Sequence, residues 1–164
     1  MLPTSRNEPD GIRLARVDDI PAVVAILTAY RQKLAQWAPQ FWQPAEEAAA
    51  LSTFYLSGQI DKEDTIFLVA QQSEQVIGFA LAYETPAPPV YRPGKTGTLD
   101  DFGVADDISW EDIGADLLAA IRQNAREAGW EQLIVVSPVA DTRKNAVLIE
   151  AGLAATAQWW STRL

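Results

Sequence analysis

The sequence predicts a single mixed α/β domain in which helices cover the faces of a twisted, largely antiparallel sheet. The chain has 164 residues, 48% of them hydrophobic, which suits one sizeable core. Apolar residues follow strand and helix spacing in the order β-α-α-β-β-β-α-β-α-β. At the centre of this order, the segment 98–118 passes from a strand through an acidic connection to an amphipathic helix.

The first half of the chain supplies a strand, two helices and a hairpin. Residues 1–10 are polar and are expected to form a flexible tail before a domain at 11–164. Asp18 or Asp19 is expected to cap the first helix, and Ser73 and Glu74 form a tight turn between two strands. The predicted elements are a strand at 12–17, a helix from about 20 to 37, a helix at 44–57 and strands at 64–71 and 76–84.

The second half begins with a Pro/Gly-rich loop at 85–97. The central helix is expected to begin at Ile113 and end near Gly129, and Asp141 or Thr142 is expected to cap the last helix. The remaining predicted elements are a strand at 98–104, a short strand at 133–136, a helix from 142 to about 151 and a final strand at 153–164.

Composition restricts the possible partners and the possible chemistry. A net charge of −9 argues against nucleic acid and against an anionic membrane, and allows a cationic or amine-bearing partner. The chain has neither Cys nor His, so disulfides, thiolate sites and a Ser-His-Asp triad are excluded. Acid–base chemistry must come from carboxylates, Tyr, Lys, Ser or water. The N-terminus has no apolar signal core, and a cytoplasmic protein is expected.

The connection that enters the central helix combines two opposing features. The first N–H groups of a helix favour an anion. However, no Lys or Arg lies between Lys95 and Arg122, and the segment is crowded with carboxylates. A solvated loop with a capped helix start is the favoured interpretation; an anionic rim for a cationic ligand is the alternative. A metal site is not expected, because the spacing is not that of an EF-hand loop. The carboxylates are Asp100, Asp101, Asp106, Asp107, Glu111, Asp112 and Asp116.

The element order resembles that of the GNAT superfamily of acyl-CoA-dependent N-acetyltransferases, from Ile12 to about Trp160. In this family, a glycine-rich loop between the fourth strand and the third helix holds the coenzyme pyrophosphate with backbone N–H groups. Parts of that motif are matched here without an insertion. The matching residues are Val104, Ile113, Gly114, Leu117 and Leu118.

Other positions depart from the family pattern. Trp110 and Asp112 stand where the loop has glycines, and the Trp110 ring would obstruct phosphate. Asp112 is expected to cap the helix, and both Glu111 and Asp112 would repel the pyrophosphate. Asp106 and Ser109 replace the usual Pro and the usual Arg or Gln, and Leu148 replaces the Tyr that protonates the leaving thiolate.

The resemblance implies acetyl transfer from acetyl-CoA, as co-substrate, to a small-molecule or protein amine. The remaining acid–base candidates are Glu84, Asp100 and Asp101, which would take a proton from the amine directly or through water. An acceptor pocket is expected at Tyr30, Trp37, Phe41 and Trp42. The coenzyme is expected at Phe102, Gly103, Val104, Ser109, Trp110, Glu111, Asp112, Ile113, Gly114 and Ala115.

A second hypothesis is a non-catalytic binding or oligomerising module that has lost coenzyme binding. The position of Trp110 distinguishes the two, because a Trp110 ring folded into the coenzyme groove favours the module. An aromatic final strand with Trp159 and Trp160 allows a homodimer paired along its edge. Arg143 and Lys144 are expected to be surface charges, with contact to a coenzyme phosphate as the alternative.

Overall fold

The computed structural model describes residues 10–164 and contains a five-stranded sheet. The strands lie side by side in sequence order; the first four pair antiparallel, and the fifth is parallel to the fourth. This confirms the predicted mixed, largely antiparallel sheet. The strands are β1 Gly11–Leu14, β2 Thr65–Gln72, β3 Gln75–Glu84, β4 Thr96–Val104 and β5 Gln132–Val135.

Helices cover both faces of the sheet, as predicted. Alternate residues of the strands point to opposite faces, and each face has its own apolar core. Phe79 and Leu81 of β3 pack with the first helix, whereas Phe102 of β4 packs with the third and fourth. The helices are α1 Ile20–Trp37, α2 Ala48–Ser57, α3 Ala115–Glu127 and α4 Thr142–Glu150, with a 3-10 turn at Val17–Asp19 and a π-helical turn at Trp110–Gly114. No helix within residues 10–164 is long and apolar enough to cross a bilayer.

The β2–β3 connection is the predicted tight turn. Ser73 and Glu74 both have positive φ, 48° and 64°. A two-residue turn of this kind matches the right-handed twist of the flanking strands, so it closes a hairpin without splaying them.

Strand β4 has a bulge halfway along its length, and it loses one of its two neighbouring strands there. Leu81 of β3 is opposite Asp101, and Ala82 is opposite Leu99, so Asp100 is an extra, bulged residue. Strand β5 pairs with β4 only from Thr96 to Leu99. Beyond that point, residues 100–104 have β3 on one side and no other strand of the described chain on the other. We call this side the β4 free edge.

The predicted final strand is wrong, because the structure describes no regular secondary structure after Gly152. Trp159 and Trp160 are 79% and 89% exposed. Adjacent residues of a strand point to opposite faces, so these two rings could not share a buried face. The homodimer that this strand would support stays a prediction. The predicted tail lies, apart from Asp10, outside the described residues.

Candidate functional site

The β4–α3 connection ends in the π-helical turn, and Ser109 caps it. The Ser109 Oγ atom accepts a hydrogen bond from the Asp112 backbone N–H at 3.2 Å. The predicted cap, Asp112, is therefore wrong: the turn begins at Trp110, which places Asp112 inside it. The Ala115 N–H bonds to the Trp110 carbonyl five residues earlier, as in a π-helix.

The Trp110 ring is buried in the space between this turn and β4. Trp110 is 7% exposed, and its ring meets the Phe102 ring edge to face, with 4.9 Å between centroids. A Cβ atom on Gly114 would lie 2.4 Å from Trp110 Cε3. In this structure, the missing side chain of Gly114 therefore makes room for an indole ring.

Lys144 is buried beside the same ring, and its prediction as a surface charge is wrong. The residue is 1% exposed, and its Nζ donates to the Phe102 carbonyl on the β4 free edge at 3.3 Å. Val147 and Leu148, three and four positions later, are also buried, so Lys144 shares their face of α4. That spacing is visible in the sequence and would have indicated the burial.

Three aromatic rings surround the Lys144 ammonium. The Nζ atom lies 5.4, 5.1 and 5.7 Å from the ring centroids of Tyr30, Phe102 and Trp110. Such distances give cation–π attraction. Burial lowers the pKa of Lys144 to about 8, although Asp141 and the carboxylates of β4 oppose the shift. We call these three rings the lysine cage.

Asp141, which directly precedes α4, links Lys144 to Tyr30 of the lysine cage. Its carboxylate accepts the Lys144 backbone N–H at 3.1 Å and the Tyr30 hydroxyl at 2.7 Å. This confirms Asp141 as the helix cap, one of the two predicted. Burial and the hydrogen bond to Asp141 raise the pKa of Tyr30, so its phenol keeps its proton.

A pair of carboxylates lies at the β4 bulge, next to the cage. Burial and the neighbouring Asp100 raise the pKa of Asp101, while Arg31 and Lys144 oppose that rise. Burial and the same two carboxylates raise the pKa of Tyr55 and of Tyr83. The site therefore combines side chains from α1, α2, β3, β4 and α4, which no local sequence motif would have revealed.

Glu84 lies apart from this pair. Leu81 is directly opposite Asp101, so both point to one face of the sheet, whereas Glu84, three residues on, points to the other. Its carboxylate is 3.2 Å from the Lys95 ammonium. The structure thus brings together two of the three predicted acid–base candidates, and the catalytic assignment of all three stays a prediction.

The residues predicted to hold the coenzyme follow the β4 free edge and the π-helical turn. Cations from elsewhere partly offset the acidic segment, because Arg143 lies 3.3 Å from Glu111 and Lys33 pairs with Asp106. Both pairs are exposed and therefore weak. Phe102, Gly103, Val104, Trp110 and Gly114 are buried, Ser109, Ile113 and Ala115 are half-buried, and Glu111 and Asp112 are exposed.

The predicted acceptor aromatics do not form one pocket. Tyr30 belongs to the lysine cage, with the Trp37 ring 6.3 Å away. The Phe41 ring instead contacts Trp42 at 5.0 Å and Trp159 at 5.9 Å. A cavity of about 200 Å³ lies nearby between α1 and the start of α2, and the acceptor site stays a prediction. Its lining is Thr28, Arg31, Gln32, Pro44, Ala45, Glu46, Ala48 and Ala49.

Comparison with known proteins gives a family match. The acetyltransferase (GNAT) family profile matches residues 28–147. Curated protein sequences gave no significant match. A mutant of the BH1408 protein from Bacillus halodurans has a similar structure, with a TM-score of 0.82 at 18% identity over 93% of this chain and 98% of that one.

Two further solved structures show the same fold. Ribosomal-protein-alanine N-acetyltransferase from Brucella melitensis biovar Abortus 2308 has a TM-score of 0.65 at 19% identity, over 95% of this chain and all of that one. A predicted acetyltransferase from Clostridium acetobutylicum, solved with acetyl-CoA, has a TM-score of 0.70 at 18% identity, over 94% and 96% of the two chains.

Proposed function

This chain belongs to the GNAT acetyltransferase family, and we propose that it transfers an acetyl group from acetyl-CoA to a cationic amine. The observation that supports this best is the carboxylate pair Asp100 and Asp101 at the β4 bulge, beside the β4 free edge. The free edge offers backbone groups to an acyl donor, and the pair offers negative charge to an amine that carries a proton.

The coenzyme would bind along β4. Its pantetheine arm contains amide groups, which can bond to an unpaired strand edge in the way that a peptide strand does. Phe102 to Val104 would bind the acetyl group and the arm, and residues 109–115 would bind the pyrophosphate. Arg143 is exposed beside Glu111 and is a suitable cation for a phosphate. The Trp110 ring must leave Phe102 to admit the arm.

Asp101 would act as the base. An ammonium must lose a proton before its nitrogen can attack the thioester carbon, and Asp101 accepts it directly or through water. Burial and Asp100 raise the pKa of Asp101, which makes its carboxylate a stronger base than an ordinary Asp. The similar Clostridium acetobutylicum structure holds acetyl-CoA, and the Brucella protein is named an N-acetyltransferase, which supports this reaction class.

Isothermal titration with acetyl-CoA and with free CoA, at low and moderate salt, tests this function. We expect micromolar dissociation constants that weaken at low salt, because the exposed Glu111 and Asp112 repel the pyrophosphate most when screening is least. Failure of both ligands to bind at millimolar concentration would contradict the proposal.

The substitution Asp101→Asn tests the base. Loss of a general base lowers turnover about 10²–10⁴-fold, whereas Asp100→Asn, which removes only a neighbouring charge, should have a smaller effect. The readout is release of CoA thiol with a panel of primary amines. The wild-type rate should fall as the pH falls through the pKa of Asp101, and the raised pKa places that fall at higher pH than for an ordinary Asp. A larger loss in Glu84→Gln would reassign the base.

The non-catalytic module is the second candidate, and one observation favours it. The Trp110 ring is folded against Phe102 where the arm would bind, which is the position expected for the module, and the Lys144 ammonium bonds to the Phe102 carbonyl there. We place this candidate second because the chain keeps the family's fold and because the half-buried Asp101 lies beside the β4 free edge. The titration with CoA distinguishes the two.

A further inference from the structure

Lys144 differs from every other lysine of the chain, and the proposed transfer gives it no part. The sequence contains four lysines. The side chains of Lys33, Lys62 and Lys95 are 41–52% exposed and pair with carboxylates. Lys144 is 1% exposed, and its Nζ donates to a backbone carbonyl instead. Lys144 therefore places a buried amine in the proposed site of a protein that we propose acetylates amines.

The position of Nζ relates directly to the path of the coenzyme. A strand added to a sheet runs about 4.8 Å from its neighbour. The Nζ atom lies 3.3 Å from the Phe102 carbonyl oxygen on the β4 free edge, within the layer that such an added strand would occupy. Any acyl chain that bonds to β4 at Phe102 must therefore come into contact with Nζ. Attack on the thioester carbon would require Nζ to lie about 3–3.5 Å from that carbon.

We propose that Lys144 is an acetylation site of the protein itself: with acetyl-CoA along the β4 free edge, its Nζ atom accepts the acetyl group. This inference rests on the proposed function, because it needs the coenzyme in that position. The reaction forms the amide bond between Nζ and the acetyl carbon and breaks the carbon–sulfur bond of the thioester. The lysine ammonium loses two protons, one to solvent before attack and one to the departing CoA sulfur.

The surroundings of Nζ favour the neutral amine that this reaction needs. The titratable groups that face Nζ are Tyr30 of α1, Asp100 and Asp101 of β4, and Asp141 before α4; Trp110 of the π-helical turn is uncharged. Burial exceeds the effect of the three carboxylates and lowers the pKa to about 8. Roughly a tenth of Lys144 is then neutral at pH 7, against less than about one in a thousand for an exposed lysine.

Access to Nζ depends on the Trp110 ring. Of the three rings in the lysine cage, Phe102 belongs to the nine-residue strand β4 and Tyr30 to the 18-residue helix α1. Trp110 belongs to the short π-helical turn. The ring that must leave Phe102 to admit the coenzyme is therefore the same ring that covers Lys144 on that side. Binding of the coenzyme would therefore uncover the Lys144 amine at the same time.

The test uses the wild-type chain with millimolar acetyl-CoA, followed by peptide mapping by mass spectrometry. At pH 7, we expect Lys144 to gain one acetyl group at least about tenfold faster than Lys33, Lys62 or Lys95, because its partly neutral amine lies beside the β4 free edge, where the coenzyme would bind. Its rate should rise with pH and level off above about pH 8, where the Lys144 amine is mostly neutral. In urea-unfolded protein, the four rates should become similar.

Different outcomes test the acetylation of Lys144 and the proposed function on which it rests. If titration shows that CoA binds, but Lys144 reacts no faster than the exposed lysines, the inference is overturned and the proposed function stands. If CoA does not bind, both are overturned. Lys144→Arg retains the cation and removes the acceptor. The variant should lose the acetyl group gained at position 144 and with it most of the total acetylation; the same total acetylation as in wild type would assign the reaction to other sites.

Discussion

Replacement of Trp110 by leucine should strengthen the binding of acetyl-CoA about two- to tenfold. In the wild type, the arm must displace a 7%-exposed indole from Phe102. Displacing a leucine would still cost hydrophobic burial, but it would not cost the aromatic pair with Phe102, which is worth about 0.5–1.5 kcal/mol. Since each 1.4 kcal/mol is about tenfold in affinity, removal of this aromatic pair gives the predicted gain, measured by calorimetric titration.

The matched control for this variant is Trp130→Leu. Trp130 is also 7% exposed, but its ring packs on Gly97, away from the β4 free edge. Both variants should lose stability to urea, and only Trp110→Leu should gain affinity. An unchanged or weaker affinity in Trp110→Leu would mean that the ring does not compete with the coenzyme. Absence of binding in both the variant and the wild type would favour the non-catalytic module.

Most of the fold could be predicted from the sequence because its elements leave local signals. The apolar runs of β2 and β3, the turn at Ser73, the Asp141 cap and the helical spacing of α3 each follow from residues close together in the chain. The prediction of a final strand was wrong because it, too, used only local signals. Apolar residues near the C-terminus suggested a strand, but strand formation also requires a neighbour to pair with, and local sequence does not supply that information.

The site was less predictable because it depends on contacts between distant residues. The carboxylates at the β4 bulge were found as a local cluster, but Arg31, Tyr55 and Lys144 come from helices far away in sequence. Gly114 was matched to a phosphate loop, whereas in the structure it accommodates Trp110. The sequence shows that a glycine is present; only the packing shows which atom occupies the space that it leaves.

Replacement of Gly97 by alanine should cause the largest loss of stability among the substitutions considered. A Cβ atom there would lie 1.9 Å from Trp130 Cζ3 and 2.0 Å from Cε3. The indole cannot bend, and Gly97 is paired on both sides, with Glu84 of β3 and Leu133 of β5. Overpacking costs about 1–3 kcal/mol where a core can adjust. Here we expect a loss of about 3 kcal/mol or more in the free energy of unfolding, measured by urea denaturation.

Gly58→Ala is the control for Gly97→Ala, because Gly58 has an ordinary helical φ of −73° and its Cβ would meet nothing closer than 3.4 Å. Its effect should be within about 0.5 kcal/mol, as for a surface change. Combining Gly97→Ala with Trp130→Leu should cost less than the sum of the two, since the smaller side chain removes the clash. Additive costs would show that the Trp130 ring is not the cause.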